Sequence, residues 1–96
     1  MNDLFVGQKV IVRTYSAGVH FGTLERREGR EVTLTNSRRL WEWKGAFTLS
    51  AVAQEGIKGG RISITVPDIL LTEAIEIIPC SDAAAASIEG IKAHKP

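Results

Sequence analysis

Short alternating runs of apolar and polar residues, punctuated by glycine and proline, make up most of this chain. Lys9–Tyr15 (KVIVRTY) is rich in β-branched residues and predicts a first strand. Ser16-Ala17-Gly18 breaks it, and Gly18 is free to take positive φ. A second strand is expected over Val19–Arg27. Val19, Phe21, Thr23 and Glu25 share one face of it, and His20, Gly22, Leu24 and Arg26 the other. Gly22 in mid-strand points to a bulge, or to close approach by another backbone or a ligand. Glu28-Gly29-Arg30 reads as a hairpin turn and Glu31–Thr35 as a third strand. Asn36-Ser37 then turns into a fourth, Ser37–Gly45 (SRRLWEWKG).

After Gly45 the period changes. Leu49, Val52 and Ala53 fall at helical spacing, with Thr48 or Ser50 to cap the start and Gly56 to close the end. Lys58-Gly59-Gly60 is a turn. Arg61–Val66 alternates strictly as a fifth strand ended by Pro67-Asp68, and Thr72–Ile78 is a sixth, stopped by Pro79. Ser81-Asp82 can cap a last helical turn through the alanine run, with Ile88 and Ile91 as a weak apolar stripe. The whole predicts a mainly β fold: a small SH3-like or OB-like bent sheet or partly open barrel of about six strands. One short helix falls between strands four and five, and a second is possible at the C-terminus. Residues 1–80 form the domain; 81–96 form a short helical tail that frays unless a neighbouring subunit holds it. Open sheet edges and a short core favour a homo-oligomer.

Ninety-six residues suit a single core. The net charge of +1 makes the chain no general magnet for polyanions, but the charge is uneven. Residues 1–45 carry eight Lys/Arg and five Asp/Glu, a net of +3; residues 46–96 carry four and six, a net of −2. An anionic partner belongs with the first half. Cys80 is the only cysteine, and His20 and His94 the only histidines, so neither an intrachain disulfide nor a cysteine-rich zinc site is expected. No apolar run approaches the ~20 residues of a membrane helix, and the first residues lack a basic-then-apolar leader. A reducing cytoplasm is the expected location.

The stretch from Ser37 to Gly45 concentrates the candidate chemistry. Regular alternation puts Arg39, Trp41 and Trp43 on one face and Arg38, Leu40, Glu42 and Lys44 on the other. Arginine beside indole can hold a flat anionic ligand, the guanidinium on a phosphate and the indole under a base. The other reading makes the tryptophans core and the arginines solvated. Tyr15, Ser16, Gly18 and His20 form a second polar cluster, able to converge on a phosphate or a base edge, or simply to be a turn. The candidate ligand-binding set is therefore Tyr15, Ser16, Gly18, His20, Arg38, Arg39, Trp41 and Trp43. No catalytic triad or phosphate-loop pattern can be assembled, and no metal or cofactor is called for.

Three segments resemble a family of short proteins encoded by tailed phages and prophages, a domain of unknown function. They are Val12–Gly22 (VRTYSAGVHFG), Arg38–Ala46 (RRLWEWKGA) and Leu71–Pro79 (LTEAIEIIP). The resemblance spans roughly residues 8 to 80. It implies a phage accessory protein acting in the bacterial cytoplasm, and carries no site assignment. Together these features lead to the expectation of a non-catalytic protein that sequesters a small phosphorylated nucleotide, with a host immune signal as the expected ligand. The alternatives are a nucleic-acid-binding barrel and an interaction module that blocks a host protein through its sheet edge.

Overall fold

In the computed structural model, which describes residues 4–94, six strands and two helices follow one another. They are β1 (Lys9–Thr14), β2 (Val19–Glu28), β3 (Glu31–Lys44), α1 (Leu49–Glu55), β4 (Gly59–Ile62), β5 (Val66–Leu71), β6 (Ala74–Pro79) and α2 (Asp82–Glu89). The sheet is antiparallel in the order β4-β3-β2-β1-β6, with β5 pairing the first half of β3. It curls into a half-barrel, as the alternation predicts. The strand count holds, but the partition differs.

Residues 31–35 and 37–45, expected as two strands, are one. Asn36 does not reverse the chain; it bends it, at φ +49°. Both halves of β3 pair the same neighbour. Thr35 lies opposite Thr23 and Arg38 opposite Phe21, so β3 carries one extra residue at this point. Gly22 permits the crossing. A Cβ there would lie 3.0 Å from the Thr35 carbonyl oxygen and 3.2 Å from Leu34 Cβ. Both the bulge and the close backbone approach expected of Gly22 are present. Consequently α1 connects the third strand to the fourth, not the fourth to the fifth.

The predicted strand over 61–66 is also divided. β4 pairs the second half of β3, from Leu40 opposite Ile62 to Lys44 opposite Gly59. The chain leaves that ladder after Ile62 and rejoins β3 further back, with Val66 opposite Ser37. Pro67, expected as a terminator, lies inside β5. It falls between the paired Val66 and Asp68, opposite the bend at Asn36, where no ladder bond is required of it.

Two cores lie on the two faces of the sheet. Ile11, Phe21, Leu40 and Ile62 pack under the helices with Val52, Ala53, Ile57, Ala85 and Ile88. Val10, Val12, Leu24, Val32, Leu34 and Leu71 fill the concave side. β1 feeds both, since alternate residues point to opposite faces. The helices are capped as expected. Thr48 accepts from the Ala51 N–H at 3.1 Å, Gly56 closes α1 at φ +82°, and Ser81 accepts from the Ala84 N–H at 3.1 Å. Ile88 is fully buried, which makes α2 part of the core.

Arg38 ties α2 to the sheet. Its Nε donates to the Ser63 carbonyl at 3.0 Å, and one terminal nitrogen donates to the carbonyls of Ile88 at 2.9 Å and Glu89 at 3.4 Å. A cation on the last carbonyls of a helix also meets the negative end of its dipole. Burial lowers the pKa of this guanidinium, yet arginine stays charged. Arg38→Ala removes all three of these bonds, leaving the Ile88 carbonyl a 3.3 Å bond from the Ile91 N–H, and should cost about 2–4 kcal/mol in urea unfolding. A loss below about 0.5 kcal/mol would mean that apolar packing alone holds α2.

Candidate functional site

The bend in β3 and the detour between β4 and β5 leave a cleft of about 230 Å³ on the concave side. Its back wall comes from the sheet. His20 and Arg39 are direct partners across β2 and β3, and Ser37 lies two residues from Arg39, on the same face. The opposite wall is Ser63, Ile64, Val66 and Ile69. Ser63 pins that wall in place: its N–H donates to the Arg39 carbonyl at 2.9 Å, and its Oγ accepts from the Arg39 N–H at 2.8 Å. The same hydroxyl donates to the Ile64 carbonyl at 2.8 Å, so its one proton is committed.

The sheet side of the cleft is not satisfied in this way. His20 and Ser37 are each only 1% exposed. His20 Nδ1, Ser37 Oγ and Arg39 Nε are closed to solvent and have no hydrogen-bond partner among the described residues. Leaving such an atom unpaired costs about 1–3 kcal/mol. All three belong to residues that line this one cleft.

The state of His20 follows from its neighbours. Its Nε2 lies 3.0 Å from the Ala17 carbonyl oxygen. A carbonyl only accepts, so Nε2 carries the proton and Nδ1 presents a lone pair. Burial lowers the pKa of the ring; the Ala17 bond opposes this, and the charge of Arg39 adds to the lowering. The residues lining the cleft thus hold one unpaired acceptor at His20, one unpaired N–H donor at Arg39, and a Ser37 hydroxyl that can act either way, all three atoms closed to solvent.

The expected site residues separate. His20 and Arg39 come together. Arg38 leaves the set, because its guanidinium is bonded to main-chain carbonyls on the helix side. The two tryptophans do not share a face. Between Leu40 and Glu42 the β3–β4 register slips, with Trp41 as the extra residue. Past that point the alternation is inverted, so Trp43 packs against the same core as Leu40. Trp41 is 55% exposed and does not line the cleft. Tyr15, 77% exposed, and Ser16 stay on the β1–β2 loop, where the Ser16 hydroxyl donates to Glu73 at 3.4 Å. Gly18 sits at φ +85° and its carbonyl accepts from the Thr14 N–H and hydroxyl, which is turn chemistry. Ser37, expected at the turn into and start of a fourth strand, and Ser63, Ile64, Val66 and Ile69 carry no signal of a site in sequence, since only the bend in β3 and the detour after β4 bring them together.

Among the described residues, the linings of two larger hollows hold no buried unpartnered side-chain nitrogen or oxygen. One, of about 260 Å³, lies beside Arg27, Arg30 and Glu76. The other, of about 500 Å³, lies beside Cys80, and there Lys9 and Glu89 are paired at 2.6 Å. Burial, with the nearby Glu89 charge, pushes the Cys80 thiol up to about 11, so it is not a nucleophile at neutral pH.

Two measurements check this geometry. Trp43→Ala should lose about 2–4 kcal/mol of stability, and Trp41→Ala should stay within about 0.5 kcal/mol of wild type; equal losses would put both indoles in the core. Stability should also fall with acid. The unfolded chain takes up a proton on His20 below about pH 6.5, whereas the folded chain resists until lower pH. The decline in unfolding free energy between pH 7.5 and 5.5 should flatten in His20→Gln and persist in His94→Gln.

No curated protein and no solved structure matches the chain. A family model, described as a domain of unknown function (DUF6948), matches residues 7–88. The match runs from just before β1 through most of α2, taking in every strand and the whole cleft. The chain therefore belongs to the DUF6948 family.

Proposed function

We propose that this is a non-catalytic binding protein that captures a small phosphorylated nucleotide at the His20–Ser37–Arg39 cleft. The observation that carries the reading is that the three residues with a buried, unpartnered polar atom all line one concavity. Folded chains pair such atoms, with a ligand or water if not with protein. Arg39 brings a positive charge to the cleft and suits a phosphate. Trp41, exposed two residues further along β3, offers an indole for a base to stack on. A volume of about 230 Å³ is below the ~300–1,000 Å³ that encloses a whole drug-sized ligand. Part of the nucleotide then rests on the surface outside.

The same geometry speaks against catalysis. No hydrogen bond joins Ser37 Oγ to His20, and Nε2 of the ring faces a carbonyl rather than an orienting carboxylate. A nucleic-acid groove would call for an extended basic stripe; of the arginines at the β2–β3 turn, Arg26 is already paired with Glu28 at 3.2 Å. The likeness to short phage proteins supplies a setting, the sequestration of a host immune signalling nucleotide in the bacterial cytoplasm. Assembly into a homo-oligomer belongs to the same proposal. β6 ends the sheet with one edge open and Ile75 exposed on it.

Calorimetric titration with linear and cyclic nucleotides tests the reading. One of them should bind with a shallow salt dependence. Arg39→Ala should weaken that binding by about ten- to a hundredfold, the loss expected for one charge-assisted bond, with the melting midpoint unchanged. Absence of binding at millimolar nucleotide, or full binding by the variant, would overturn it. Light scattering on the same samples should show a mass above the 10.5 kDa of one chain.

A further inference from the structure

We infer that Arg38 is a positioning residue of the cleft: it ties the wall of Ser63, Ile64 and Val66 to the end of α2, so that the seating of α2 sets the width of the cleft and with it the affinity for a nucleotide. The inference rests on the cleft being the nucleotide site, and places a control of that site on the helix side of the sheet.

Of the two walls, this one has the less support of its own. After Ile62 the chain leaves the β4 ladder, and it re-enters pairing only at Val66. Ile64 is 61% exposed, so little side-chain packing holds it. Toward β3 the segment is fastened at one residue, where the Ser63 N–H and Oγ meet the Arg39 main chain. The back wall lies in the paired register of β2 and β3. A change in the width of the cleft therefore falls on the Ser63–Val66 side.

Arg38 supplies the other attachment of that segment. Its Nε meets the Ser63 carbonyl at 3.0 Å, and a terminal nitrogen meets the carbonyls of Ile88 at 2.9 Å and Glu89 at 3.4 Å. Both nitrogens belong to one rigid plane, so the two attachments keep a fixed spacing. The side chain is buried, and charge-assisted bonds are strong where water is excluded. The residues after α2 add a second tie, since the His94 N–H donates to the Ile62 carbonyl at 2.8 Å. A shift of the end of α2 thus reaches Ser63, and Ser63 passes it to Ile64, whose carbonyl its hydroxyl holds. The seating of α2 is itself conditional. The helix has eight residues, too few to stand alone. Its start depends on Ser81, which caps Ala84 and donates to the Gln54 carbonyl at 2.8 Å. Its end depends on Arg38 and on the buried Ile88.

Native-state hydrogen exchange on the full chain, read by NMR, tests the linkage without any ligand. The reporters are the amides of Arg39 and Ser63, which carry the bonds between this wall and β3. The reference is the Leu24 amide, bonded to the Gln8 carbonyl beside β1. Arg38→Met keeps the apolar stem and removes the donors. It should speed exchange at the reporters by about ten- to a hundredfold relative to Leu24, the loss expected for one charge-assisted bond. Ser81→Ala loosens α2 at the end away from Arg38. It should speed the reporters by about fivefold, the loss expected for a helix cap, and add nothing in the Arg38→Met background. Effects that multiply, or reporters that keep pace with Leu24 in both variants, would overturn the inference. Where Arg38→Met does not fold, the unmodified chain in low urea decides. The reporters should lose protection no later than the Gly90 amide, which is bonded to Ala86 at the end of α2. Reporters still protected after Gly90 has opened would overturn it.

Titration with nucleoside 5′-monophosphates and their 3′,5′-cyclic forms adds the functional arm. Where one of them binds the wild type, Ser81→Ala should weaken it by about fivefold, and by nothing further in the Arg38→Met background. An affinity that Ser81→Ala leaves unchanged defeats the inference and leaves the nucleotide site in place. Should none of them bind, the nucleotide reading falls, and the exchange measurements alone decide whether Arg38 links α2 to the wall.

Discussion

The absence of a side chain at Gly22 is the constraint on which the rest of this structure depends. At that point the backbone of β3 crosses so near that a single Cβ would press on Thr35, Leu34 and Ser37 together. The crossing accommodates one extra residue in β3, and Asn36 takes the positive φ that the bend demands. A straight strand of this length would offer one neighbour on its free side. Bent, it offers two, β5 along the first half and β4 along the second. The sheet curls for the same reason, and its concave face becomes deep enough to bury a second core.

The cleft is the space left at that change of partner. Between Ile62 and Val66 the chain belongs to neither ladder, and Ser63 alone fastens it to β3. The back wall stays rigid, since His20 and Arg39 sit in a paired register between central strands. A rigid wall with three unpaired polar atoms is a stability cost maintained by the surrounding packing. Proteins of this size have only ~5–15 kcal/mol of net stability, so leaving ~1–3 kcal/mol per atom unclaimed is a large concession. Such concessions are typical of binding sites, where the ligand repairs what folding leaves open.

Adjacent arginines show how one residue of alternation separates architecture from chemistry. Arg38 faces the helices and bonds main-chain carbonyls, which fixes the C-terminal end of α2 against the sheet. Arg39 faces the concave side and keeps its Nε free. The two side chains are chemically identical; only the pleat distinguishes them. Their neighbours behave in the same way. The slip at Trp41 turns Trp43 against the helix-side core, where it is half-buried, and leaves Trp41 exposed.

Local patterning determined much of this protein. Period-two runs mark every strand except β5, of which only Val66 falls in an expected strand; Thr48, Gly56 and Ser81 mark the helix ends, and Gly22 the bulge. These features are local, because hydrogen-bonding periods and caps involve residues a few positions apart. His20 and Arg39 were legible as polar residues in otherwise β-forming stretches. What the pattern misjudged were the two places where β3 gains a residue. Strict alternation makes Asn36 a turn and puts Trp41 and Trp43 on one face, since it has no means of registering an insertion that only a paired neighbour reveals. The role of Arg38 likewise required α2 to be docked, as its partners lie 50 residues away in the chain. Ser37 joins the site for the same reason that Ile64, Val66 and Ile69 do. A cleft is made by segments meeting across a fold, and the register at which they meet is decided by tertiary packing.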